Sequence, residues 1–282
     1  MVRYVTTVAK GATLAVQDAV TLVEKFVDAD LRSSGQTSTS FSTKIGKYVF
    51  KVEGKGFSYN GDTLASGTIQ SITAFKSGEK LATFKGKFTF NEMAALYQAE
   101  STNSDKFAFE NFFMSKNWVF DARKGASADD YALGVTKVGD GALFQPNGND
   151  IVYLANGNDV FYAGAGNDEV YGGKGNDWLS GGKGKDLLDG GRQNDTLQGR
   201  QNADKFVFGK NYDRDKIIDF ENNKDTVVLD DNLWKGTKSV NKVLNQFGHA
   251  QNGDFILDFG GGDVLTIYDV TKNQLKDDVQ IV

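Results

Sequence analysis

Along the second half of the chain apolar side chains recur every nine residues. Val152, Phe161, Val170, Leu179, Leu188, Leu197 and Phe206 hold the eighth position of seven consecutive units that begin at residue 145. The sixth position is aspartate in every unit: Asp150, Asp159, Asp168, Asp177, Asp186, Asp195 and Asp204. The residues before each aspartate are rich in Gly and Asn, as in GGKGNDWLS and GGKGKDLLD. A hexapeptide of this kind predicts a turn in which positive φ is cheap and carbonyls can converge. A very short strand follows, its middle side chain pointing inward. One unit cannot bury that side chain alone, so successive units must coil and stack, two to a coil. The pattern predicts a parallel roll in which residues 18 apart lie one above the other.

Elsewhere the periods differ. Leu14, Ala15, Ala19, Leu22, Val23, Phe26 and Val27 follow helical spacing and predict one amphipathic helix over 10–30. Its polar face lacks a Lys/Arg cluster, so the stripe reads as packing surface rather than a membrane-surface helix. From Lys47 the stretches YVFKVEG, GTIQSITAF and EKLATFKGKFTF predict strands between Gly-containing turns. NEMAALYQA predicts a second short helix, and FAFENFFMSKNWVFD a return to strand. Asp130 and Asp140, spaced ten residues from each other and from Asp150, read as decayed repeats, so 105–144 is expected to continue the roll. Downstream, Ile217–Ile218, Val227–Leu229, Phe255–Leu257 and Val264–Ile267 predict strands that cover its open end. The expected fold is mainly β, a parallel β-roll with an N-terminal helix/β cap and a C-terminal β cap. Its expected divisions are 1–40 (helix and linker), 41–144 (β-rich, a degenerate extension of the roll), 145–208 (the roll) and 209–282 (the C-terminal cap).

Stacking places Asp150, Asp168, Asp186 and Asp204 along one edge and Asp159, Asp177 and Asp195 along the other. Carboxylates about 5 Å apart, away from bulk water, repel strongly, so a cation must lie between them. The turn also offers carbonyl oxygens. An all-oxygen, many-membered ligand set selects calcium over softer metals, and over magnesium with its tighter octahedron. Lys174, Lys183 and Arg192, at the third position, are expected to point outward and soften the field.

Residues 145–207, with G-G-x-G-x-D-x-U-x repeated in register, resemble the RTX (repeats-in-toxin) calcium-binding family. The resemblance implies a serralysin-type right-handed parallel β-roll. Calcium would lie between repeat n and repeat n+2, held by Gly-position carbonyls and Asp of the first turn and by carbonyls and a fifth-position Asn or Asp of the second. Carried onto this chain, Asp159 with Gly157 faces Gly172 and Asn176, Asp177 with Gly173 and Gly175 faces Gly190 and Asn194, and Asp150 with Gly148 faces Asn167. Gly164, Gly166, Gly181, Gly182 and Gly184 complete the implied ligand set. Lys185 and Ala203 replace the fifth-position Asn, and Gln193 replaces a Gly. The resemblance therefore implies roughly four or five ions, with the Asp195 site the weakest. The pattern of Asp215, Ile217, Asp219 and Phe220 resembles the segment that closes the roll in serralysin-type proteases and mannuronan epimerase modules. That likeness implies a further calcium at Asp215; a solvated acidic turn is the alternative. The final DDVQIV resembles the C-terminal signal of type I secretion substrates.

Composition narrows the function. Without cysteine there are no disulfides, thiolate zinc sites or cysteine nucleophiles, and the single histidine, His249, reads as an exposed loop residue. A net charge of -5 speaks against nucleic acid as partner. Residues 145–204 hold eight Asp and one Glu against five Lys or Arg, so the acidity concentrates where the metal is expected. No window is apolar enough for a membrane span, and MVRYVTTVAKGATLAVQDAV is too mixed for a secretory leader, so export is expected through type I secretion machinery. There is no H-E-x-x-H, G-x-S-x-G or phosphate-cradling loop, and no catalytic residue is assigned. The expected protein is a secreted, extracellular calcium-binding protein of a Gram-negative bacterium, non-catalytic, folding on calcium and meeting a host or matrix surface. The alternative is a small polysaccharide-active enzyme or lectin with its active part in residues 40–125.

Overall fold

The computed structural model describes residues 4–8, 36–45, 48–60, 63–89, 91–92, 95, 118–121, 131–132, 137–138, 142–143 and 147–282. The N-terminal part holds β1 (Tyr4–Val8), β2 (Ser40–Ile45), β3 (Tyr48–Asn60), β4 (Thr63–Lys76) and β5 (Glu79–Thr89). Short strands β6 (Trp118–Asp121), β7 (Tyr131–Ala132), β8 (Lys137–Val138) and β9 (Ala142–Leu143) follow. The nonapeptide units supply β10 (Ile151–Asn156), β11 (Val160–Ala165), β12 (Glu169–Lys174), β13 (Trp178–Lys183), β14 (Leu187–Arg192), β15 (Thr196–Gln201) and β16 (Lys205–Phe208). The C-terminal part holds β17 (Arg214–Ile217), β18 (Thr226–Leu229), α1 (Val240–Gln246) and β19 (Gly248–Gln251). It ends with β20 (Asp254–Gly260), β21 (Asp263–Ile267), α2 (Lys272–Leu275) and β22 (Val279–Ile281).

Alternate strands of the repeat region go to alternate sheets. In one sheet β6, β10, β12, β14, β16, β18 and β22 run side by side; in the other β7, β11, β13, β15, β17 and β21 do so, and all these pairings are parallel. The chain is mainly β, and its repeat region is a parallel β-roll. Register aligns the apolar positions into two columns: Val152, Val170, Leu188, Phe206 and Val227 in one sheet, Phe161, Leu179, Leu197, Ile217 and Ile267 in the other. Every member is buried. Each stabilises the coil by roughly 1.5–3 kcal/mol, so the columns are the adhesive of the roll and the turns only have to let them meet.

Three sequence expectations are corrected. Residues 40–89 are not coils of the roll: β2, β3, β4 and β5 form an antiparallel meander, with β1 between β5 and β6. Strands of 11 to 14 residues joined by turns as short as Ser77–Gly78 permit only antiparallel pairing. The cap contains α1 and α2 as well as strands; Val240, Val243 and Leu244 have helical spacing, and Oε1 of Gln274 accepts from the Thr271 amide at 2.8 Å to start α2. His249 is exposed, as expected, but on the edge strand β19 rather than in a loop. The helix expected over 10–30 and the aspartates at 130 and 140 lie outside the described residues. Of NEMAALYQA, Asn91, Glu92 and Ala95 are helical and the remainder lies outside. The tail Asp277–Val282 contributes β22, the last strand of its sheet, and the Val282 amide donates to the Leu229 carbonyl at 3.0 Å. Among the described residues no helix is long and apolar enough to cross a membrane.

Candidate metal centre

Each strand runs into a six-residue turn, such as Gly172–Asp177, whose first three residues still belong to the strand. The second and fourth residues of the turn have positive φ, at Gly164 and Gly166, Gly173 and Gly175, and Gly182 and Gly184. This brings backbones of successive coils so close that no side chain fits. A Cβ on Gly166, Gly175 or Gly184 would collide with the carbonyl of Gly148, Gly157 or Gly166, and one on Gly182 or Gly191 with that of Gly164 or Gly173. The glycines are therefore a steric requirement of stacked carbonyls. At the first turn position, Gly172, Gly181, Gly190 and Gly199 leave room for Oδ2 of Asp177, Asp186, Asp195 and Asp204, five residues on.

The aspartates form ladders. Oδ1 of Asp168, Asp186 and Asp204 accepts the amide of Asp150, Asp168 and Asp186 at 2.8, 2.9 and 2.9 Å. On the other edge Oδ1 of Asp177 and Asp195 accepts from Asp159 and Asp177, both at 2.8 Å. Asp215 continues that edge, accepting from Asp195 at 2.9 Å. All these carboxylates are buried, and Oδ2 of Asp168, Asp186, Asp195, Asp204 and Asp215 is buried without a hydrogen-bond partner. An acceptor-only group in that condition is unfavourable unless a proton or a cation meets it. Among the described residues no group of three or more acidic, His or Cys side chains converges as a chelate. A bound ion would thus have to combine one or two carboxylates with carbonyls. That all-oxygen set, cradled where a Cβ cannot enter, fits calcium.

The fifth-position asparagines also link successive coils. Oδ1 of Asn167 accepts from the Lys185 amide at 2.8 Å, that of Asn176 from Asn194 at 3.1 Å and that of Asn194 from Arg214 at 3.1 Å. All three are exposed. Their side-chain oxygens form an outer hydrogen-bond ladder between coils, and each oxygen has a second lone pair.

The structure also reveals turns without the glycine signature. Asn211 and Asp213 (φ 65 and 62) repeat the two left-handed positions ahead of Asp215, and Asn223 (φ 59) repeats one ahead of Asp225. Asp225, missed in the sequence because it follows Asp204 by 21 residues instead of 18, accepts from the Asp204 amide at 3.0 Å through Oδ1 and from Glu221 at 2.8 Å through Oδ2. Asp263 accepts from Asp213 and Asn211 at 3.2 and 3.1 Å. The first ladder therefore ends on Asp225, whose two oxygens are occupied by backbone amides, whereas the second ends on Asp215 with Oδ2 still unpartnered. Within the roll, Gln193 holds the same left-handed conformation (φ 81) where the repeat has Gly. A non-Gly residue there costs about 1–2 kcal/mol, so Gln193→Gly should raise the melting temperature of the calcium-loaded protein by about 2–4 °C. Differential scanning calorimetry checks it; no rise, or a fall, contradicts the strain.

Burial pushes the Asp168 carboxyl up to about 8, Asp186 to about 6, Asp195 to about 8, Asp204 to about 7 and Asp215 to about 9. Neighbouring carboxylates add to this at all but Asp186, and the amide each accepts offsets part of it. In an unfolded chain the same groups titrate near about 4, so above that pH the unfolded state holds fewer protons than the folded one. The metal-free roll is then most stable below about pH 4 and loses that stability as pH rises through the folded values, up to about 9. With chelator present, circular dichroism should show more β structure at pH 5 than at pH 8. In excess calcium the order should reverse, since the ion displaces those protons. Equal chelated spectra at both pH values would contradict the protonated ladder.

Residues 147–179, 162–197 and 180–214 match the family model described as the RTX calcium-binding nonapeptide repeat (4 copies). Among solved structures, the crystal structure of the extracellular lipase LipA from Serratia marcescens is similar at 17% identity and a TM-score of 0.30, over 60% of this chain and 40% of that one. The chain thus spans less than half the length of that lipase. No curated protein matches.

Proposed function

Taking residues 147–214 as an RTX calcium-binding roll, we propose that this is an exported, non-catalytic protein whose roll folds when it meets calcium outside a Gram-negative cell. Buried carboxylate oxygens with no partner, in a roll whose glycine carbonyls stack too closely for a Cβ, carry the reading. Oδ2 of the ladder aspartates Asp150, Asp159, Asp168, Asp177, Asp186, Asp195, Asp204 and Asp215, with the carbonyls of Gly148, Gly157, Gly164, Gly166 and Gly173, would hold roughly four or five ions. The ion supplies the positive charge that the ladder lacks. Cytosolic calcium, on the order of micromolar or below, is too dilute for a site of the extracellular class, with a dissociation constant of roughly 0.1–1 mM. The chain would remain unfolded inside the cell, fit for threading through type I secretion machinery, and binding outside becomes folding energy. A host or matrix surface, or an extracellular polysaccharide, is the partner of the folded form. Native mass spectrometry of the full chain in millimolar calcium tests the metal reading: several bound calcium ions are expected, and few or none in the same concentration of magnesium. A chain that stays ion-free in calcium would overturn it.

A further inference from the structure

Two of the chain's four Asn–Gly dipeptides, Asn147–Gly148 and Asn156–Gly157, fall in the roll, and a third, Asn252–Gly253, joins β19 to β20. Asparagine before glycine is chemically labile. The glycine nitrogen has no flanking side chain, and its backbone turns freely enough to reach the side-chain amide carbon. Asn156 and Asn252 are held very differently. Asn156 is exposed at the end of β10, where it pairs with Lys174 in the sheet, and the Gly157 amide donates to the Lys174 carbonyl at 2.9 Å. The Gly157 carbonyl stacks so closely on Gly175 that a Cβ there would collide with it. Lys174 and Gly175 both belong to the next coil, so this lock exists only when two coils are stacked. Asn252 and Gly253 are exposed at a hairpin tip, with φ 56 and 100. Nothing lies within 4 Å of a carbon added to Gly253, and no group among the described residues accepts its amide.

We propose that Asn156 is a deamidation site gated by calcium, open while the chain is unfolded and closed once the coils stack. The gating rests on the calcium reading above. In the reaction the Gly157 nitrogen gives its proton to water or hydroxide and bonds to Cγ of Asn156; the Cγ–Nδ2 bond breaks and ammonia leaves. Water then opens the resulting succinimide ring at either carbonyl. One water is taken up and one ammonia lost, with no change of oxidation state. In the stacked coil the reaction is blocked at its first step. The Lys174 carbonyl accepts the proton that must leave, and turning Asn156 to bring Cγ over the nitrogen would pull the Gly157 carbonyl out of its stack on Gly175. The two products differ in consequence. Opening at one carbonyl leaves an ordinary aspartate, exposed beside the exposed Lys174. Opening at the other routes the backbone through the side-chain carbon, one methylene longer. That displaces the Asp159 amide from the Asp177 carboxylate it meets at 2.8 Å. A chain kept waiting without calcium thus loses, with time, its ability to fold.

The test is peptide mapping by mass spectrometry of the full chain aged at neutral pH in calcium or in chelator. Protein isoaspartyl methyltransferase is the probe for the longer-backbone product, and circular dichroism is recorded alongside. Deamidation at Asn156 should be at least about tenfold slower in calcium than in chelator. Asn252, which no stacked coil holds, should react in both and serve as the clock within the same molecule. Chain aged in chelator should lose its calcium-induced β signal in proportion to the isoaspartate at position 156. Asn156→Asp should fold in calcium like the wild type, and Asn156→Gln, whose ring would be one atom larger, should keep its folding on ageing. If Asn156 reacts equally fast in both conditions while the β signal shows calcium-driven folding, the inference is overturned and the calcium reading stands. The same holds if Asn156 stays unreacted in an unfolded chelated chain, or if Asn156→Gln ages into the same loss of folding. A roll equally folded in chelator, with Asn156 slow in both conditions, overturns the calcium reading and the gating with it.

Discussion

In chelator at neutral pH the nonapeptide region is expected to give almost no β signal by circular dichroism, and added calcium is expected to restore it in one cooperative step. The magnitude follows from the ladder. Burying an ionised carboxylate without a counter-charge costs several kcal/mol, and the roll holds such an oxygen on Asp168, Asp186, Asp195, Asp204 and Asp215. Together these exceed the roughly 5–15 kcal/mol by which domains are stable at all. The apolar columns cannot compensate, because a chain that folds without metal must either protonate its aspartates or leave them charged against one another. Cooperativity follows from the amide bonds between coils, which make each aspartate's position depend on its neighbour's. Hydrogen exchange gives the residue-level check. Amides of Asp168 and Asp186 as protected in chelator as in calcium would sink calcium-driven folding.

Gly175→Ala should raise the calcium concentration needed for folding by more than tenfold. Alanine at φ 140 is strained, and its Cβ would meet the Gly157 carbonyl of the coil below. Left-handed strain of about 1–2 kcal/mol and overpacking of about 1–3 kcal/mol act together. Relief by separating the coils would disrupt the carbonyl cradle and the Asp159–Asp177 amide bond at once. Gly253→Ala is the control: φ there is 100, but nothing lies within 4 Å of the added carbon. It should cost only the strain, about 1–2 kcal/mol, and leave the calcium midpoint close to wild type. Equal shifts in the two variants would mean that backbone strain, not close stacking, is what the repeat glycines avoid.

The nine-residue period was readable because one local rule, a tight turn followed by one inward side chain, repeats often enough to exclude coincidence. Its consequence, the two apolar columns in register, is what the structure shows. The closing half-coils were less readable, because their turns use Asn211, Asp213 and Asn223 where the motif uses Gly. Asn and Asp reach left-handed conformations at modest cost, so the backbone path survives while the glycine signal and the spacing do not. Asp225 was hidden for that reason and for another: what sets it apart is the neighbours that folding brings near. The fifth-position asparagines show the opposite limit. Their places in the turn were legible, but the bond each makes to a backbone N–H 18 or 20 residues away was not, because it depends on the stacking of coils. In residues 40–89 the alternation marked strands, yet pairing direction follows from the length of the connections.

Every bond of the aspartate ladders runs one way: the earlier residue donates its amide and the later one accepts it. The stack therefore has a direction, like bricks that interlock only downward. Removing coils from the N-terminal side takes away donors and leaves an oxygen that water can solvate at the new end. Removing them from the other side strips the acceptor from a buried amide, which has no substitute. A roll of this construction can be lengthened or trimmed at its start, but it has to keep its finish, where both oxygens of Asp225 meet the chain's own amides and Asp263 takes the amides of the turn before Asp215.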